Sequence, residues 1–128
     1  MYACVHFVGR RFDWVAIVKA CDLFVLPSLR EGHSITIIET MAAEVPIVAT
    51  NIHGIKESVW HEREPLLVPP CNAAALVDVI VCMLRDQSLA NRHKQTARQR
   101  FLDNFTEEKM LQRSWKVYRK LLTSKGLP

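Results

Sequence analysis

Two short, uninterrupted apolar runs constrain the fold of this chain more than any other feature. One covers residues 23–26 and ends at Pro27, and the other covers residues 46–49, with its proline at the first strand position, where it is tolerated. A strand that is apolar at every position is typical of a parallel sheet covered on both faces. Between the runs, apolar residues recur at helical spacing after Ser34, a favourable helix N-cap. This alternation of strands and helices predicts an α/β fold.

Further elements extend the alternation in both directions. The sequence predicts two more strands, at residues 5–8 and 66–68. It also predicts a short helix at residues 13–20 and a turn at Gly54. Three helices are predicted to follow, beginning at Asn72, Ser88 and Thr106. Because the sheet is small and starts within a few residues of Met1, we expect a truncated Rossmann-like parallel sheet with flanking helices. It forms one domain over residues 1–128.

Length and cysteine content narrow the class of protein. No apolar run approaches the roughly 20 residues that cross a bilayer, and no basic-then-apolar start indicates a signal peptide. The cysteines form no CxxC pair and are expected to be free, buried or half-buried thiols, which suits the cytoplasm. No metal is expected, because the histidines that could serve as ligands lack the required spacing: His6, His33, His53 and His61.

The formal net charge of +4 is concentrated in the last third of the chain. A basic surface can attract nucleic acid or an anionic membrane. No aromatic residues interleave the cations for base stacking, so no nucleic-acid partner is expected. We favour the interpretation that these cations cover the solvated faces of two helices, with peripheral membrane contact as the weaker alternative.

Residues 27–34 and 50–59 follow two of the predicted strands and should meet at the carboxyl edge of the sheet, where ligands of open parallel sheets bind. If a helix begins at Ser34, the free backbone N–H groups of Ile35, Thr36 and Ile37 point towards the first of these loops. Together with the helix dipole they form an anion site suited to a phosphate, and Gly32 allows the backbone to approach a ligand closely.

Two carboxylates, Glu31 and Glu39, bracket this predicted anion site. Neither favours a phosphate beside it, because like charges repel, but both can accept hydrogen bonds from hydroxyl groups. A diphosphate with a ribose on one side and a hexose on the other fits this arrangement, so a nucleotide sugar is the predicted ligand. The alternative from spacing alone is that both glutamates are ordinary surface charges.

Residues 25–50 read VLPSLREGHSITIIETMAAEVPIVAT, and this stretch resembles the donor domain of the family 4 (group 1) glycosyltransferases, which have the two-domain GT-B fold. The mark of that family is a pair of glutamates separated by seven residues, here Glu31 and Glu39. The segments around Gly54-Ile-Lys-Glu57 and Leu66-Leu-Val-Pro-Pro70 and the terminal Trp-x-x-Tyr helix are also similar to it.

The resemblance implies transfer of a sugar from a nucleotide-sugar donor with retention of configuration, without a required metal or other cofactor. It implies that Glu31 contacts the donor sugar as the catalytic residue and that Glu39 binds the ribose. Ser34, Ile35 and Thr36 match the loop whose backbone amides hold sugar and phosphate, with Gly32 beside them. His33 lies in the same loop and could contact the sugar.

The chain also departs from the family pattern. Ser34 and Glu44 stand where glycine is usual, and Glu44 is strained if its turn needs a positive φ. Thr40 replaces the usual alanine, and Pro65 and Cys71 replace common glycines. The acceptor-binding domain of the family has no counterpart here, nor has the segment whose arginine and lysine neutralise the diphosphate. Gly9 and Arg10, after the first predicted strand, are the candidate substitutes, together with the adjacent arginine.

Two alternatives to an active transferase follow from these departures. One is a non-catalytic remnant that binds a nucleotide or a partner, and the other is a sugar-nucleotide epimerase, which the spacing of the glutamates argues against. An isolated donor domain should transfer little or no sugar, so a separate chain that carries the acceptor domain is a candidate partner. Trp115 and Tyr118 are predicted to pack in the core; if they are exposed instead, we expect self-association.

Overall fold

The computed structural model describes residues 4–59 and 67–124, and within them the chain forms six helices and three strands. In chain order the elements are α1 (Trp14–Lys19), β1 (Phe24–Leu26), α2 (Ile35–Ala42), β2 (Ile47–Thr50), α3 (His53–Lys56), β3 (Leu67–Val68), α4 (Ala73–Arg85), α5 (Gln87–Asn104) and α6 (Glu107–Ser124). Gly54, predicted as a turn, lies instead in the short helix α3. Residue 66 of the third predicted strand lies outside the described ranges.

The three strands form one parallel sheet in the order β1-β2-β3. Phe24 lies beside Ile47, and Ala49 lies between Leu26 on one side and Leu67 on the other. All four residues of the central strand β2 are buried, which explains its uninterrupted apolar sequence. The prediction of an α/β fold with a parallel sheet and flanking helices is therefore confirmed.

Helices cover both faces of the sheet, so the side chains of β2 enter two separate cores. On one face Ile47 and Ala49 pack with buried residues of α2, α3 and α5, namely Ile37, Met41, Ile55 and Ala97. On the other face Val48 packs with Val68, Met83 and Ala90. The strictly alternating direction of side chains along a strand divides the apolar run between the two cores.

Residues 5–8 do not form the predicted strand. They are exposed, with Phe7 95% exposed, and no backbone hydrogen bond joins them to another described segment. An isolated extended segment has no neighbour with which to exchange backbone hydrogen bonds, and only such exchange stabilises a strand. In the described part of the sheet, β1 pairs with β2 alone. The sequence had the composition of a strand but could not reveal that no segment of residues 4–59 and 67–124 pairs with it.

Two of the three long C-terminal helices begin at the cap residues that the sequence predicted, and the third begins one residue earlier than predicted. The side chain of Asn72 accepts a hydrogen bond from the Ala75 amide at 3.0 Å, and Thr106 accepts one from the Lys109 amide at 3.3 Å. Helix α5 begins at Gln87 rather than Ser88, because Asp86 is its cap and accepts from the Leu89 amide at 2.8 Å.

Two non-glycine positions among the described residues have the left-handed backbone conformation that favours glycine. Glu44 has φ of 61° in the turn between α2 and β2, and Cys71 has φ of 58° before α4. Both stand where the resemblance predicts glycine, so the expectation of strain at Glu44 is confirmed. The cysteines are unpaired, but all four are exposed, and the prediction of buried or half-buried thiols was wrong.

Two arginines of α5 hold the fold together instead of lying on a solvated face. Arg98 donates to the carbonyl oxygen of Ala42 at 2.7 Å, at the end of α2. Arg100 donates to the carbonyl oxygen of Ser58 at 2.6 Å, just beyond α3. Guanidinium groups satisfy the free carbonyls at helix carboxyl ends and interact favourably with the dipole there. Helix α5 therefore anchors both helices that follow the strands β1 and β2.

Helix α6 has no buried residue among its 18. Trp115 and Tyr118 are each 64% exposed, so the prediction that they pack in the core was wrong for the part of the chain that the structure describes. No helix in residues 4–59 or 67–124 is long and apolar enough to cross a bilayer.

Candidate functional site

The candidate site lies where β1 and β2 end side by side. Leu26 and Ala49 are register partners in the parallel sheet, so the segments that follow them emerge at the same edge. The first segment is the β1–α2 loop, residues 27–34, and the second is residues 51–52 followed by α3. A cleft of about 390 Å³ opens at this edge, between residues of the loop and the start of α4.

Helix α3 lies directly against the backbone of the β1–α2 loop. A Cβ atom on Gly54 would lie 2.7 Å from the carbonyl carbon of Glu31 and closer still to the carbonyl oxygens of Glu31 and Gly32. Real Cβ atoms do not approach backbone atoms this closely, so only glycine fits at position 54. By contrast, a Cβ atom on Gly32 would meet open space. Gly32 therefore leaves room on the side of the loop that faces away from the protein.

Side chains tie the β1–α2 loop to the sheet. The hydroxyl of Thr50, the last residue of β2, donates to the carbonyl oxygen of Ser28. The hydroxyl of Ser28 in turn donates to Oε1 of Glu31 at 2.7 Å. The half-buried Glu31 carboxylate is therefore held by a neighbour whose own backbone is bonded to the central strand. Sequence reasoning missed Ser28 and Thr50, although the spacing of Ser28 three residues before Glu31 is typical of such a local contact.

Ser34 is the N-cap of α2, as predicted, with an extended backbone (φ −79°, ψ 94°). Its side chain makes no capping hydrogen bond, and its hydroxyl oxygen is buried without a partner among the described residues. The first amides of α2, which belong to Ile35, Thr36 and Ile37, have no partner within the helix by construction. The N-terminus of α2 thus presents hydrogen-bond donors and a partial positive charge next to the loop.

The remaining loop and helix candidates differ in exposure. Glu39 is the fifth residue of α2, about 7–8 Å along the axis from Ser34. It is half-buried, and its carboxylate makes no hydrogen bond or ion pair within the described ranges. His33 is exposed, and its ring centroid lies 6.2 Å from that of Phe105. Ile35 is also exposed, which is unusual for an apolar first residue of a helix beside a core.

Within the described residues, no hydrogen bond or ion pair joins Gly9 or Arg10 to the β1–α2 loop. Both are exposed; Gly9 has a left-handed backbone (φ 64°), and the guanidinium of Arg10 lies 5.5 Å from the ring centre of Phe12. The adjacent Arg11 pairs with Asp13 at 2.6 Å, and this guanidinium holds the pKa of the Asp13 carboxyl below its ordinary value. Arg30, inside the loop, is an exposed cation that the predicted site did not include.

Within the described residues, no three histidine, cysteine or acidic side chains lie close enough together to hold a metal ion. Of the four histidines considered as ligands, His61 lies outside those residues. Taken together, the edge of the sheet offers amide donors at the α2 N-terminus, one positioned carboxylate and one unpaired carboxylate. Such a set can bind an anion together with neighbouring hydroxyl groups.

Comparison with known proteins adds sequence relatives. A sequence model of the family "Glycosyl transferases group 1" matches residues 1–86. The Campylobacter jejuni N,N'-diacetylbacillosaminyl-diphospho-undecaprenol alpha-1,3-N-acetylgalactosaminyltransferase is 31% identical over 118 residues, which are 92% of this chain and 31% of the relative. A Mycobacterium tuberculosis glycogen synthase is 30% identical over 115 residues, which are 88% of this chain and 28% of that enzyme.

Solved structures of similar fold include glycosyltransferases as well. Sucrose-phosphate synthase from Thermosynechococcus elongatus superposes with a TM-score of 0.83 at 31% identity, over 94% of this chain and 31% of that one. Anabaena HepE in complex with UDP superposes with a TM-score of 0.84 at 25% identity, over 91% and 32% respectively. The chain therefore spans about a third of the length of the relatives that it matches.

Proposed function

The chain belongs to the group 1 glycosyltransferases, and we propose that residues 1–128 form a nucleotide-sugar-binding domain that holds the donor for retaining sugar transfer. The observation that carries the proposal is the placement of the α2 N-terminus at the carboxyl edge of the sheet, with Glu31 before it and Glu39 within it. Anabaena HepE was crystallised with UDP and with UDP-glucose, which supports a UDP-type donor. A GDP-type donor is the other candidate.

In this proposal the diphosphate lies at the start of α2. The amides of Ile35 and Thr36 donate to its oxygens, and the buried, unpartnered hydroxyl of Ser34 adds a third donor. Charge develops on the leaving nucleoside diphosphate as the bond to the sugar breaks, and fixed amide dipoles stabilise that charge without rearrangement. The open space beside Gly32 admits the ligand. Gly9 and Arg10 are the proposed additional contacts to the donor.

The two glutamates then take different parts of the donor. Glu39 accepts hydrogen bonds from the ribose hydroxyls, for which both carboxylate oxygens are available because no side chain or backbone group of the described residues bonds to them. Glu31 contacts the transferred sugar and is the proposed catalytic residue, with His33 beside it in the loop. The diphosphate needs no metal or other cofactor in this scheme, because the helix N-terminus supplies the opposing charge.

Sugar transfer by the whole enzyme requires an acceptor site, which we propose lies on a partner segment or a separate chain. Without it no closed cleft orients the nucleophile or excludes water, so residues 1–128 alone should transfer little sugar. The exposed free thiols suit a reducing compartment, and we propose the cytoplasm. The lysines and arginines of α6 are proposed to cover a solvated helix face, with peripheral contact to an anionic membrane as the weaker proposal and no nucleic-acid partner.

A second candidate function is a non-catalytic binding module. The left-handed backbone of Glu44 favours it, because the family resemblance implies glycine at this position and any other residue there carries a steric cost. Slow hydrolysis of the donor to free nucleoside diphosphate distinguishes the two. The proposed transferase domain releases it, and a module that only binds does not.

Titration of the chain with UDP-, GDP- and ADP-sugars and the free diphosphates tests the proposal. A ligand present at a hundred times its Kd stabilises the fold by about 2.7 kcal/mol, which a thermal shift detects. Glu39→Ala should abolish binding of both forms, whereas Glu31→Ala should remove only the preference for the sugar-bearing form. Glu108→Ala, an exposed glutamate of α6, is the matched control and should bind like the parent. Absence of binding at millimolar concentration would refute the donor site.

A further inference from the structure

We propose that Thr50 and Ser28 are positioning residues that fix the direction of the Glu31 carboxylate before any ligand arrives. The inference rests on the proposed function of Glu31 as the residue that contacts the donor sugar. According to this inference, the preference for a sugar-bearing nucleotide over the free nucleotide depends on the Thr50 hydroxyl. That hydroxyl lies outside the β1–α2 loop, at the end of the central strand β2.

Two consecutive hydrogen bonds carry the argument. The Ser28 hydroxyl donates to Oε1 of Glu31 at 2.7 Å, a charge-assisted bond that restricts an otherwise flexible side chain. The carbonyl oxygen of Ser28 accepts from the Thr50 hydroxyl, so the residue that orients the carboxylate is itself fixed. One bond leaves Oε2 of Glu31 without a protein hydrogen bond in the described part of the chain, so that this oxygen is available to a sugar hydroxyl.

Thr50 is a suitable anchor because it belongs to the most constrained part of the molecule. It is 3% exposed, and its backbone pairs with Val68 in the sheet. Thr50 contributes to the wall of the cleft at this edge of the sheet, but its hydroxyl is already engaged with the carbonyl oxygen of Ser28. The loop is therefore the route by which this hydroxyl can act on Glu31, and the rotamer of Glu31 without ligand separates positioning from direct contact.

The close packing of Gly54 supports the same conclusion independently. Its backbone lies against the carbonyl groups of Glu31 and Gly32, so the loop cannot move towards α3. Thr50 prevents movement of the loop away from the sheet at Ser28. The loop is therefore held at two points on either side of the carboxylate, which is the condition for a preorganised binding group.

The experiment compares Thr50→Val, which keeps the shape and removes the hydroxyl, with Thr50→Ser, which keeps the hydroxyl. UDP-glucose and UDP are the probes, and the ratio of their dissociation constants is the readout. Thr50→Val and Ser28→Ala should weaken UDP-glucose about tenfold and leave UDP unchanged, because only the sugar contact depends on the carboxylate direction. Thr50→Ser should retain the parent ratio. Thr96→Val removes a hydroxyl-to-carbonyl bond on α5, remote from the loop, and is the control.

An unchanged ratio in Thr50→Val, or equal weakening of both ligands, would overturn the inference. A parent chain that binds neither probe would refute the proposed function for a UDP donor, and a ligand-free measurement then decides the positioning role. Side-chain coupling constants of Glu31 should report one rotamer in the parent and in Thr50→Ser, and averaged rotamers in Thr50→Val and Ser28→Ala. An averaged Glu31 in the parent would overturn the inference without any ligand.

Discussion

Helices α2 and α6 are both amphipathic, yet the shorter one is deeply buried and the longer one is not. In the eight residues of α2, the side chains of Ile37, Thr40 and Met41 are buried completely. In the 18 residues of α6 none is buried, and its apolar side chains face outwards. The comparison shows that apolar periodicity specifies which face of a helix can be buried, whereas the neighbouring elements decide whether it is.

The neighbours of the two helices explain the difference. Helix α2 joins two adjacent strands, so its apolar face must lie on the sheet, and α5 covers it further through Ala97 and Arg98. Helix α6 is attached by its first turns, where Arg113 donates to Asn104 at the end of α5. The candidate site is thus built on the anchored helix, where precise placement of a group is physically sustainable.

The strongest test of this comparison is a matched pair of truncations. Ile37→Ala in α2 should lower the free energy of unfolding by about 4 kcal/mol, because it opens a cavity in a closed core. Leu121→Ala in α6 removes a similar apolar group from an exposed position and should cost less than about 0.5 kcal/mol. Urea denaturation measures both. Similar losses in the two variants would show that α6 is packed in solution and would break the comparison.

The second test uses the buried histidine of α5, the helix that lies between the two regions. Burial lowers the pKa of His93 to about 4 from 6.5, so folding favours the neutral ring. The stabilisation from this group is complete above pH 6.5 and is lost as the pH falls towards 4, by about 3 kcal/mol in all. Denaturation at pH 7 and pH 4.5 should show a decline that His93→Leu largely removes.

Hydrogen exchange sharpens the histidine test. If α5 anchors α2 but barely holds α6, acidification should lower the protection factors of the α2 amides, that is, their exchange relative to the intrinsic rate at each pH. The protection factors of the α6 amides should be small at both pH values. A decline of equal size in His93→Leu would assign the pH dependence to other groups. In that case the burial of His93 would not explain why α5 holds α2 more firmly than α6.

The sequence predicted the features that depend on local residue pattern. It failed for features that depend on whether a neighbouring element packs against the segment. The uninterrupted apolar run of β2 indicated burial on both faces, and the cap residues Asn72 and Thr106 located two helices correctly. By contrast, residues 5–8 looked like a strand, and Trp115 looked like a core residue, because composition carries no information about whether a neighbour is present. The inward-pointing Arg98 was missed for the same reason.

The candidate site shows the same division. The glutamate pair, the loop glycine and the cap Ser34 could be found from spacing and from the preferences of helix ends. The supports beneath them could not, because Thr50 reaches Ser28 across 22 positions of sequence and Gly54 contacts Glu31 through space. Local motifs therefore pointed to the groups that are proposed to touch a ligand, while the structure was needed for the groups that hold them.

A smaller effect is expected at the strained turn that ends the anchored helix. Glu44→Gly should raise the free energy of unfolding by about 1 kcal/mol, because glycine adopts the left-handed backbone without steric cost. The ion pair of Glu44 with Arg98, at 3.5 Å, is largely exposed and contributes little. Glu44→Ala is the control: it removes the same ion pair and retains the strain, so it should not gain stability. Equal stability of the two variants would show that the turn is not strained.

The smallest effect on stability, and the most specific to α6, is expected from Trp115→Ser combined with Tyr118→Ser. Since both side chains are exposed, their removal should change the free energy of unfolding by less than about 0.5 kcal/mol. The same double substitution should reduce self-association of the parent chain in sedimentation velocity, because it interrupts the exposed apolar stripe that drives association. Lys116→Ser combined with Arg119→Ser changes exposed, charged positions of the same helix and should leave that association in place. Loss of stability without loss of association would mean that the stripe packs within its own chain, and the contrast with α2 would then be one of degree.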